Sequence, residues 1–177
     1  MAKRIYVADD ELHIRTLIQT FLVNEGYEVE TFEDGKSLFE AFHASCPDLI
    51  ILDIMMPGMD GFALCTAIRR ESRVPIIIVS AKDAPMDRVT GITLGSDDYM
   101  VKPIDLSELL MRVRALLRRA SIEASRKITV GSLVLDADAV TATVNGKEIP
   151  VTTREFNIMF KLLSYPNHTF SRSQLMD

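Results

Sequence analysis

Five short apolar runs, each followed by a stretch of helical periodicity, constrain this chain more than anything else in it. The runs are Ile5–Ala8, Val29–Phe32, Leu49–Leu52, Ile76–Val79 and Tyr99–Val101. Runs this short, apolar apart from Glu30 and Thr31, read as strands. Between them, Ile14, Leu17, Ile18, Phe21 and Leu22 follow the i, i+3, i+4, i+7, i+8 spacing of one helix face, and Gly26 is placed to stop it. Asp34 and Asp60 are N-cap candidates for a second and third helix. Leu106, Leu109, Leu110, Val113, Leu116 and Leu117 stripe a fifth, opened by an acidic capping box of Asp105 and Glu108. Repeated strand–helix alternation predicts a parallel sheet covered on both faces. Right-handed crossovers then give a doubly wound α/β sandwich.

The fourth helix is the weak one. "DAPMDRVTGITLGSDD" contains Gly91 and threonines at 90 and 93, all poor helix formers. It reads either as a short helix held by tertiary packing or as a marginal element that shifts between two packings.

After residue 120 the pattern changes. "RRASIEASRK" reads as a helix end running into a polar linker, 121–126. "ITVGSLVLDADA" then supplies two strands around Gly131. Val140, Ala142 and Val144 alternate with threonines, and Asn145-Gly146 predicts a type I′ hairpin turn. "TTREFNIMFKLL" opens on a capping box, Thr152 with Glu155, and presents Phe156, Met159, Phe160 and Leu163 on one face. Ser171 with Gln174 is another capping box, in a helix with a start signal and no stop signal before Asp177. The expected organisation is one domain over 1–120, a linker, and a second, truncated domain over 127–177.

Composition excludes several classes. No apolar stretch approaches the roughly 20 residues of a membrane-spanning helix, and the amino terminus lacks a secretory apolar core. Cys46 and Cys65 lack metal spacing and read as buried thiols in a reducing cytoplasm. Residues 1–120 hold 14 Lys+Arg against 19 Asp+Glu, and 121–177 hold 6 against 6. Neither part carries the basic excess of a complete nucleic-acid-binding domain.

In a doubly wound sheet, ligands bind beyond the carboxyl ends of the strands. The first strand ends at Asp9-Asp10, the third at Asp53, the fourth at Ser80, and the fifth leads to Lys102-Pro103. Converging carboxylates repel unless a hard cation neutralises them, and an oxygen-rich site suits Mg²⁺. Such a set can perform phosphoryl transfer. Asp53 would be the nucleophile, Lys102 would pair with a phosphoryl oxygen, and Ser80 would hydrogen-bond the group once attached. Met55 lies where a backbone carbonyl could complete the metal's coordination, and Met56-Pro57-Gly58 turns the chain away.

"VADDE", "LDIMMPGMDG", "IIIVSAK" and "GSDDYMVKP", in that order, resemble the receiver domain of bacterial two-component response regulators over residues 3–120. "VTTREFNIMFKLLSYPNHTFSRSQL" resembles the start of the winged-helix effector of the OmpR/PhoB subfamily. The resemblance implies a flavodoxin-like receiver in which Asp53 accepts phosphate from a sensor histidine kinase. Asp9 and Asp10 would serve Mg²⁺, Ser80 and Tyr99 would form a switch pair, and the Lys102–Pro103 peptide would be cis. It also implies a homodimer through the fourth helix, fifth strand and fifth helix, with cross-subunit pairs Arg88–Glu108, Asp98–Arg112 and Asp97–Arg119. Ile104 stands where the family often has phenylalanine. The family's recognition helix and wing do not occur in this chain, so it is not expected to bind DNA specifically, whereas a longer parent protein would.

Two other readings compete. A haloacid-dehalogenase-like phosphatase also uses an aspartate after a strand beside Mg²⁺. Such enzymes carry a second acid two residues on, where this chain has Met55. The expectation is therefore a phosphoacceptor rather than an enzyme, with at most slow self-phosphorylation and dephosphorylation. The third reading is a partner protein acting only through dimer exchange.

Overall fold

The computed structural model describes residues 1–81, 89–91 and 95–176. The chain divides into two units, Met1–Leu117 and Arg118–Asp177.

The first unit is built on five parallel strands: β1 (Arg4–Ala8), β2 (Glu28–Phe32), β3 (Leu49–Leu52), β4 (Ile76–Ser80) and β5 (Asp98–Val101). Their order is β2-β1-β3-β4-β5, the doubly wound arrangement, with the switch point between β1 and β3. Helices α1 (Leu12–Asn24), α2 (Gly35–Ala44) and α3 (Gly61–Arg69) follow the first three strands, and α4 (Leu106–Ser125) follows β5. The segment predicted as the fourth helix falls mostly on 82–88 and 92–94, outside the described residues; Val89–Gly91 within it are helical. The helix predicted as fifth is thus α4.

Strand alternation sorts the apolar residues into two cores. Tyr6, Ala8, Ile50, Leu52, Ile76 and Ile78 meet α2 and α3 through Leu38, Phe42, Leu64 and Ile68. Ile5, Val7, Leu49, Ile51, Ile77 and Val79 meet α1 and α4 through Ile18, Leu22, Leu109 and Val113. Asp34 caps α2 by accepting from Ser37 N–H at 2.8 Å, and Asp60 caps α3 by accepting from Phe62 N–H at 2.7 Å. Asp105 accepts from Glu108 N–H at 3.1 Å, but the Glu108 carboxylate pairs with Arg112. An arginine one turn away competes successfully for that carboxylate. Leu17 departs from its predicted stripe: it is 43% exposed, on the outer face with Leu12, while Ile18 and Leu22 are buried. Cys46 also departs. It is exposed beyond the end of α2, whereas Cys65 is buried.

The second unit contains an antiparallel sheet of β6 (Lys127–Val130), β7 (Leu133–Asp136), β8 (Thr141–Val144) and β9 (Lys147–Ile149), in that order. Helices α5 (Thr153–Ser164) and α6 (Arg172–Met176) follow. Asn145 (φ 52°) and Gly146 (φ 78°) make the hairpin turn, since both central positions of type I′ need positive φ. The Thr152–Glu155 capping box is formed in both directions. Residues 121–125, predicted as linker, are helical. Only Arg126, at φ 53°, separates α4 from β6. The reason is burial: Ile122 joins Ile128, Leu135, Ala142 and Phe156 in the second core, which a polar reading of "ASIEAS" overlooks. No helix among the described residues is long and apolar enough to cross a membrane.

Candidate functional site

The carboxyl ends of β1, β3 and β5 converge because the register brings them level. Ala8 lies beside Leu52 in the β1–β3 pair, and Asp53 N–H donates to the Ala8 carbonyl at 2.9 Å. Ser80 lies beside Val101 in the β4–β5 pair, and Lys102 N–H donates to the Ser80 carbonyl at 2.8 Å. One residue beyond each strand therefore reaches the same edge.

There, Lys102 Nζ donates to Asp9 Oδ2 at 2.8 Å and to Asp53 Oδ2 at 2.9 Å. Carboxylate oxygens of Asp9, Asp10 and Asp53 lie within 4.8 Å of one another. Asp9 and Asp53 are each 3% exposed, and Asp10 is open to solvent. Asp9 Oδ1 accepts from Glu11 N–H, and Asp53 Oδ1 accepts from Met55 N–H, both at 2.9 Å. These turns hold each carboxylate in one orientation. The Met55 side chain is exposed.

The charges do not balance. One ammonium faces two buried carboxylates and the open Asp10. Burial pushes the Asp9 carboxyl above its ordinary range, against the pull of Lys102. Burial also disfavours the Lys102 ammonium, but its hydrogen bonds to Asp9 and Asp53 and their charges more than reverse this, holding it well above the usual lysine value. A site with surplus negative charge and oxygen donors on three sides fits a hard divalent cation.

Ser80 is fully buried at the end of β4, and Tyr99 is 6% exposed in β5, packed in the α2–α3 core. The Lys102–Pro103 peptide is cis, and Ile104 packs against the α1–α4 core. Three contributors were not legible in the sequence. Glu11 Oε1 stands 3.6 Å from Lys102 Nζ, and Arg15 donates to the Asp9 carbonyl at 2.6 Å. Gly61 passes so close to the β3 end that a Cβ there would lie 2.7 Å from the Asp53 carbonyl oxygen and 2.4 Å from Ile54 Cα. The "MDG" triplet was its only signal.

The proposed subunit-pairing residues have partners inside the chain. Arg112 binds Asp98 at 2.5 Å and Glu108 at 2.7 Å. The Asp97 carboxylate takes Arg69 at 2.6 Å and the Ile76 N–H at 2.8 Å. Arg119 lies in the second unit, its guanidinium 5.2 Å from the centre of the Tyr165 ring. Arg88 lies outside the described residues.

A five-stranded α/β sandwich with three acids and a lysine at the carboxyl edge defines a receiver-type protein. Residues 5–114 match the response regulator receiver domain family. The chain is 38% identical over 176 residues to the transcriptional regulatory protein AfsQ1 of Streptomyces coelicolor, covering 99% of this chain and 78% of that one. It is 37% identical to the response regulator ArlR of Staphylococcus saprophyticus, covering 98% and 78%. Among solved structures, the BeF3-activated N-terminal receiver domain of Klebsiella pneumoniae RstA superposes with a TM-score of 0.63 at 32% identity, covering 65% of this chain and 98% of that one. The chain belongs to the response regulator family and is a two-component response regulator of the OmpR/PhoB type. Its first unit has the flavodoxin-like receiver fold, and its second sheet is consistent with a winged helix.

Proposed function

We propose that Asp53 is the phosphoacceptor of this regulator and that a sensor histidine kinase supplies the phosphoryl group in the cytoplasm. An Asp53 carboxylate oxygen forms the new bond to phosphorus. The bond from phosphorus to the donor's imidazole nitrogen breaks, its electron pair stays on that nitrogen, and the imidazole leaves neutral with the proton already carried by its other ring nitrogen. Lys102 pairs with a phosphoryl oxygen that replaces its present carboxylate contacts, and Ser80 donates its hydroxyl to the group once attached. Asp9, Asp10, Asp53 and the Met55 backbone carbonyl would hold Mg²⁺, which spreads charge from the phosphoryl oxygens. The observation that carries this reading is the lysine bridging two buried carboxylates, with a third acid in reach.

Residues 1–120 then form the receiver, and 127–177 contribute the first part of a winged-helix DNA-binding domain. Ser80 and Tyr99 serve as the switch pair, favouring a homodimer through the face that bears Asp97, Asp98, Glu108, Arg112 and Arg119, and hence regulation of transcription. Because Arg112 and Asp97 already have partners, cross-subunit pairs would replace existing ones and set register more than affinity. The phosphatase reading has no observation in its favour, since Met55 leaves the leaving group without a proton donor.

The test is transfer from a phosphohistidine donor in the presence of Mg²⁺. The parent chain is expected to label and the Asp53→Ala chain to remain unlabelled; equal labelling of both would end the proposal.

A further inference from the structure

The second unit contains a cavity of about 360 Å³ between the end of α4 and α5, within the range of small-molecule sites. Two helix faces form its walls: Arg119, Ile122 and Glu123 on one side, Phe160, Lys161 and Tyr165 on the other. The floor is apolar, because Ile122 and Phe160 belong to the second core. The rim is basic. Arg119 lies against Tyr165, and Lys161 lies 5.6 Å from the centre of the Phe170 ring while donating to the Gln174 carbonyl. Among the described residues neither cation has a carboxylate partner. Arg126, also on the rim, is already paired with Asp138 at 2.5 Å. Glu123 is the only acid in the lining, so unpaired positive charge outnumbers negative here in a chain whose net charge is −5.

We propose that this cavity binds a small amphiphilic anion, a molecule with an apolar or aromatic body and one anionic head. The body would rest on Ile122, Phe160 and the Tyr165 ring. The head would lie between Arg119 and Lys161, where a guanidinium and an ammonium give charge-assisted hydrogen bonds. Arg118 fixes one wall by donating to the Leu163 carbonyl at 2.9 Å, so the groove is held from both helices before any ligand arrives. The site shares no residue with the acidic edge of the first unit. Because Arg119 also belongs to the proposed dimer face, an occupied site would give the protein a second input that acts at dimerisation and not at phosphoryl transfer.

The test uses the full chain with 1-anilinonaphthalene-8-sulfonate as fluorescent probe and two competitors of equal chain length, octanoate and octylammonium. The probe is expected to bind at one saturable site, and octanoate to displace it at about tenfold lower concentration than octylammonium. Joint substitution Arg119→Gln and Lys161→Gln should weaken the probe by about tenfold or more, while Glu123→Gln binds as well or better. Because these changes also remove the Lys161 hydrogen bond to the Gln174 carbonyl and the Arg119 contact with Tyr165, thermal unfolding is measured for each variant to establish that it folds. Equal displacement by octylammonium, unchanged binding in the double variant, or a signal that rises without saturating would each overturn the proposal.

Discussion

The two units solve the problem of burial differently, and their chemistry follows from the difference. In the first, helices cover both sheet faces, and every residue of β3 and β4 is buried. That shelter lets Asp9 and Asp53 sit at 3% exposure beside Lys102. The second unit's four-stranded sheet supports a small core centred on Ile122, Ile128, Leu135, Ala142 and Phe156, while Leu162, Tyr165 and Met176 stay 39–48% exposed. A covered parallel sheet can hold charge in a fixed, desolvated geometry. A small sheet sealed on one face instead leaves apolar surface for contacts.

The sharpest way to break the comparison is to cut a cavity in each core. Ile50→Ala, in the fully buried centre of the first sheet, should cost that unit about 3–4 kcal/mol and leave the second unit's transition unmoved. Leu135→Ala should do the reverse at about 2–3 kcal/mol, because a small core can collapse around the loss. Urea unfolding followed by circular dichroism distinguishes the two transitions.

Next in size is Gly61→Ala. The added Cβ would press on the Ile54 and Asp53 backbone, so the expected cost is about 2 kcal/mol, again in the first unit only. Phosphorylation should slow with it, because the displaced backbone carries Asp53.

Asp9→Asn probes the electrostatics of burial and should act in the opposite direction. The folded pKa of Asp9 lies above its ordinary value of 3.8, so its ionised form is disfavoured in the fold. That penalty is absent below pH 3.8, appears as pH rises from there through the folded pKa, and stays constant above it. The variant should therefore be more stable than the parent at neutral pH without divalent cations, with the advantage vanishing in acid. Isothermal titration should show weaker Mg²⁺ binding in the same variant.

The smallest effect belongs to the second unit. Val140 is β-branched yet sits at φ 54° in the β7–β8 turn. Val140→Asn should stabilise this unit by a few tenths of a kcal/mol up to about 1, because Asn tolerates the left-handed region. Thermal unfolding of parent and variant measures it.

Val140 also marks where the sequence stops being informative. Its alternation with Ala142 and Val144 predicts a continuous strand, but β8 begins at Thr141, and Asp136 organises the preceding turn by accepting from the Asp138 and Ala139 N–H groups at 2.9 and 3.1 Å. Period-two alternation cannot report a turn imposed by the Asp136 side chain, five residues before β8 begins. Strands β1, β3 and β4 were legible because burial on both faces leaves uninterrupted apolar runs, whereas the edge strand β2, Glu-Val-Glu-Thr-Phe, is only half-buried and showed less of this signal. Asp9, Asp10, Asp53 and Lys102 were legible because strand ends fix the position of the next residue. Arg15, Gly61 and the Arg69–Asp97 pair were not, since each depends on how helices close on the sheet, and sequence spacing carries no record of that approach.

The most direct test of the central claim is to trap the phosphorylated residue chemically. After exposure to a phosphohistidine donor and Mg²⁺, reduction with borohydride converts an aspartyl phosphate to homoserine, which peptide mass mapping can locate. The account predicts homoserine at position 53 and nowhere else, with none formed when Mg²⁺ is withheld. Homoserine at position 9 or 10 instead, or unmodified Asp53 in a chain that carries phosphate, would contradict it.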